Sequence, residues 1–125
     1  MTFPDTLAAG LRAHARGLYC LQAAAELLIS QDWLHRPEFT RFITVHRPVG
    51  SGPALAVVDW PAVIGALGPG LPCSGGERRM LKITASLADG IPVDLQETVT
   101  GLDDGNIELV ITAIRRAAGQ EPAHS

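Results

Sequence analysis

The sequence is short of several things, and each shortage narrows what the chain can be. Lysine occurs once, at Lys82, and lysine plus arginine total 10 against 13 acidic residues. The net charge of −3 and the pI of about 5.7 argue against nucleic acid as a partner, which needs a basic face against the phosphates. Cysteine occurs twice, at Cys20 and Cys73. The two are far apart and without framework spacing, so they read as reduced thiols rather than a disulfide scaffold. Aromatic residues make up 5% of the chain, too few and too scattered for a platform that stacks single-stranded bases. No apolar run approaches the roughly 20 residues of a membrane-spanning helix. The start, Met1 to Asp5, lacks the basic and apolar regions of a secretory signal. The expected setting is the cytoplasm, with no membrane association.

What is present is ordinary globular material. The 125 residues are 46% hydrophobic and 18% charged, enough to bury one core without staples. One helical domain is expected over residues 1–119, with a loose tail over 120–125. Arginine in place of lysine, with heavy use of alanine, glycine, valine and proline, suggests a GC-rich bacterial genome.

The hydrophobic pattern predicts a mainly α chain of the α+β type. Asp5 or Thr6 is placed to cap a long first helix running to about Ser30, with Leu7, Leu11, Leu18, Leu21, Ala25 and Leu28 on its apolar side. This helix is the expected spine, and its alanine-rich surface is a candidate seam for a protein partner or a second copy. Pro37 is placed to open a short helix. Ile43-Thr44-Val45 and Ala54 to Val58 are β-branched or apolar runs around the loop Arg47 to Pro53, which predicts a β-hairpin supported by the first helix.

Three or four shorter helices follow. Asp59 caps one through Leu67, with Pro61 in its first turn. Ser74 and Glu77 form a capping box for the next, which Gly90 ends. Asp94 caps a brief helix ended by Gly101. Asp103 or Asp104 opens the last, which carries Arg115 and Arg116 in its final turn, where cations suit the helix dipole.

The chemistry-bearing motifs are few. No Gly-x-Ser-x-Gly elbow and no His-x-x-x-His pair is present. The four histidines, His14, His35, His46 and His124, show no ligand spacing, and no metal or other cofactor is expected. Cys73 precedes a helix N-terminus, where the dipole favours a thiolate, which makes it a candidate reactive thiol. Ser74, Gly75 and Gly76 are a candidate anion site, because their backbone N–H groups open the same helix. The C-terminal third has the rhythm of a helix-turn-helix. Its second helix, however, opens with Asp103-Asp104, which phosphates would repel. Arg78-Arg79 and Arg115-Arg116 read as solvated helix faces or a small shared basic patch.

Two resemblances follow from these stretches. Ser74-Gly75-Gly76-Glu77-Arg78-Arg79, with Thr100-Gly101-Leu102-Asp103 further on, resembles the signature loop of ABC-type ATPases, where such a loop meets a nucleotide phosphate. The chain has no glycine-rich loop ending in Gly-Lys-Ser/Thr, so the capped-helix reading is kept. Val58-Asp59-Trp60-Pro61-Ala62-Val63-Ile64, with Leu71 to Ile114, resembles a group of small, uncharacterised actinobacterial proteins. That resemblance implies a bacterial setting and supplies no catalytic residue. The function expected from the sequence is a small interaction or accessory module without catalysis. The alternatives are a DNA-associated regulator using the C-terminal helices, and a small thiol-dependent enzyme centred on Cys73.

Overall fold

The structure is a computed structural model that describes residues 2–120. His124 and residues 121–125 of the expected tail lie outside the described residues. Helix α1 (Phe3–His14) leads by a tight turn into α2 (Tyr19–Ser30). A 3-10 turn (Trp33–His35) and the short α3 (Pro37–Thr40) precede strands β1 (Ile43–His46) and β2 (Leu55–Val58). Four helices complete the chain: α4 (Trp60–Ala66), α5 (Gly75–Asp89), α6 (Leu95–Thr100) and α7 (Asp104–Ala117). The mainly helical class and the small antiparallel hairpin agree with the sequence reading.

The long first helix does not. The segment is two helices. Ala15 and Arg16 close α1, Gly17 takes a left-handed conformation at φ +80°, and Leu18 is extended at φ −120°. A glycine adopts that φ without the Cβ clash other residues meet, so the chain turns there. The start also moves: Thr2, not Asp5 or Thr6, is the N-cap, and Asp5 completes a capping box with it.

The spine is therefore α2 alone. It packs between α1, α5 and α7, and Ala23, Ala24 and Ala25 are all buried. Alanine permits this close approach on several sides at once. Ala23 is fully buried because α7 runs antiparallel along one side of α2. Cys20 Sγ approaches the carbonyl of Ala117 at one end, and Gln31 Nε2 donates to Asn106 Oδ1 at the other. Of the alanines expected as a seam for partners, Ala23, Ala24 and Ala25 are thus covered by the chain's own helices, while Ala9 is exposed. From the same segment Phe3, Leu18 and Tyr19 remain exposed.

Two apolar clusters flank α2 and share α5. The larger gathers Leu7 and Leu11 of α1, Leu28, Trp33, Phe39, Trp60 and Leu81. Phe39 sits at its aromatic centre, with ring centroids 5.3 Å from Trp33, 6.2 Å from Trp60 and 6.4 Å from Phe42. The smaller joins Ala23 and Leu27 to Met80 and Ile83 of α5 and to Val110 and Ala113 of α7. Met80 and Ile83 against Leu81 and Ala85 divide α5 between the clusters, as residues three or four apart share one face of a helix.

The hairpin pairs Ile43 with Val58 and His46 with Leu55, and α1 lies across β2. This is the support the sequence reading assigned to the first helix. The predicted caps form: Asp59, Ser74, Asp94 and Asp103 each accept from the backbone N–H three residues on. At the far end of α7, Gly119 at φ +83° and the Gln120 N–H bonded to Arg115 O form a Schellman cap.

Candidate functional site

The N-terminus of α5 is where the sequence placed its chemistry. Ser74 Oγ accepts from the Glu77 N–H at 3.1 Å, and the Ser74 N–H donates to Glu77 Oε1 at 2.9 Å. The Glu77 carboxylate thus accepts the Ser74 N–H at the positive end of the helix, beside the Gly75 and Gly76 N–H groups of the candidate anion site. Arg36 adds a cation to it. Its guanidinium donates to Glu77 and Glu38 and to the Pro72 carbonyl, and it lies 4.1 Å over the Trp33 ring. The Ser74 amide, and then Arg36, hold the Glu77 carboxyl below the usual carboxylate range.

Arg36 therefore ties the α2–α3 connection to the entrance of α5. Nothing in the sequence marks this role, because Arg36 stands alone between His35 and Pro37 without a periodic partner. Cys73 is half-buried and packs against the larger cluster. That is the setting of a small apolar side chain.

The other candidates are dispersed. His35 Nε2 sits 3.4 Å from Asp32 Oδ1 on an exposed turn, and His46 is exposed at the end of β1. Among the described residues, no three His, Cys, Asp or Glu side chains gather as metal ligands. The start of α7 presents Asp103, whose carboxylate accepts from Asn106 N–H at 2.8 Å, with Asp104 beside it. A groove-entering helix would bring both acids against the DNA backbone.

Two concave features stand out. One is an apolar cavity of about 140 Å³ between α1, α2, β2 and α5. Leu11, Ala24, Leu28 and Trp60 line it, and His14 and Asp89 are its titratable residues. The other is a groove along α2. At one end, about 280 Å³ lies among Arg12, Arg16, Gln22, Glu26 and Arg116. At the other, about 190 Å³ lies between α2 and α7, over Ala23, Leu27, Leu109 and Ala113. Glu26 and Arg116 border both volumes, so the two hollows lie side by side along α2.

In the groove, Arg12 forks onto Glu26 with contacts of 2.9 and 3.0 Å. That hydrogen bonding, with the nearby charges of Arg12 and Arg116, holds the Glu26 carboxyl below its usual range. Arg12 and Arg16 are four apart on one helical stripe, which the sequence does display. Arg116 reaches them only because α7 runs back along α2, so the basic residues that meet are not the two doublets. Among the described residues no helix is long and apolar enough to cross a membrane. Compared with protein-family models, curated proteins and solved structures, the chain matches none.

Proposed function

We propose that the protein is a small cytoplasmic interaction or accessory module, acting without catalysis and through association with a second copy of itself. The observation that supports this is a set of large apolar side chains left outside both clusters. Leu18 and Tyr19 stand 55% and 58% exposed at the α1–α2 corner, and Ile111 and Ile114 40% and 53% exposed on α7. Leu95 and Val99, four apart on α6, are exposed as well. Single exposed apolar residues are common on monomers, but paired ones on successive helices favour association. Two unpaired cysteines suit a reducing compartment.

Light scattering across a concentration series tests the reading. The expected result is a concentration-dependent dimer that Ile111→Glu/Ile114→Glu or Leu18→Glu/Tyr19→Glu abolishes while the helical spectrum is kept. A wild-type protein that stays monomeric at every concentration overturns it.

A further inference from the structure

We propose that the groove between α2 and α7 binds a small anionic amphiphile, a carboxylate carrying a short apolar chain. The head end is basic in an acidic chain. Arg12, Arg16 and Arg116 come from α1, the following turn and α7, and Glu26 is the one acid among them. Glu26 is already engaged by Arg12, while the Arg16 and Arg116 side chains make no ion pair among the described residues. Two guanidiniums that face one concave volume and make no salt bridge among the described residues suit a carboxylate, whose two oxygens accept the parallel N–H pairs of an arginine fork.

The tail end has a different chemistry. Past Glu26 and Arg116 the adjoining hollow is lined by Leu27, Leu109 and Ala113, with the Ser30 and Thr112 hydroxyls beside them. A small polar anion leaves this apolar stretch facing water, and a purely apolar molecule leaves the guanidiniums unmatched. A ligand with both parts fits both ends, the usual composition of a small-molecule site. These two hollows are separate from the surface assigned to self-association. At 100° per residue, Leu109, Thr112 and Arg116 lie on one flank of α7 and Ile111 and Ile114 on the other.

Calorimetric titration of the full chain with octanoate, below its micelle-forming concentration, tests the proposal, with acetate and octanol as head-only and tail-only probes. The expected result is saturable octanoate binding, with acetate and octanol each at least ~10-fold weaker, as loss of a charge-assisted contact or of the tail implies. Arg16→Gln/Arg116→Gln is expected to weaken octanoate by at least ~10-fold. Arg16→Gln alone, on an exposed turn, is expected to weaken it by a smaller factor and guards against misfolding of the double variant. Absence of saturable octanoate binding overturns the proposal. So does octanol or acetate binding as tightly as octanoate, or octanoate binding unchanged in both arginine variants.

Discussion

Gly10 of α1 and Ala56 of β2 meet so closely that a Cβ at position 10 would lie 2.9 Å from the Ala56 Cβ and 3.0 Å from its backbone nitrogen. This contact lets α1 lie flat on the hairpin and bury Ala56. Neither neighbour is the movable end of a long side chain, so an added methyl must push the helix off the strand. Gly10→Ala is expected to lower stability by about 1–2 kcal/mol, the overpacking cost less the gain in helix propensity. The midpoint of urea unfolding measures it.

Gly17→Ala distinguishes the observed turn from a continuous first helix by the sign of its effect. In a continuous helix the change would stabilise by about 1 kcal/mol. At φ +80° it meets the left-handed penalty, and a loss of roughly 1–2 kcal/mol is expected. Thermal unfolding of the two proteins decides it.

Arg36 works through geometry as well as charge. Arg36→Lys keeps the cation but loses the fork that reaches Glu38, Glu77 and Pro72 together. It is expected to recover less than half of the stability lost in Arg36→Ala. A double-mutant cycle with Glu77→Gln should give a coupling of about 1 kcal/mol, since both side chains are partly open to water.

Acid should weaken the fold through Glu26 and Glu77. Both carboxyls are held below their ordinary range in the folded chain, so the unfolded chain binds protons first as pH falls. Their contribution is complete above the ordinary carboxylate range, about pH 4–5, and is lost as pH drops through the lower folded values. Unfolding free energy measured from pH 7 to pH 3 should fall, and Glu26→Gln should make that fall shallower.

Local signals in the sequence determined the caps and most helix boundaries. Ser74 with Glu77 is read from a pair three apart, and Asp59, Asp94 and Asp103 or Asp104 from the capping residue at each helix start, because a cap is a contact within one turn of chain. The hairpin was legible for the same reason, as two β-branched runs around a glycine-proline loop. The break at Gly17 was not, because Leu18 and Leu21 continue the helical period across it. Tertiary packing decided that Ala23, Ala24 and Ala25 of α2 are internal and that Arg36 reaches Glu77. The groove has the same origin: Arg12 and Arg116 are distant in sequence, and the antiparallel return of α7 along α2 alone brings them to one hollow. Periodicity specifies that a helix has an apolar face, but which neighbour covers that face is set by contacts between segments far apart in the chain.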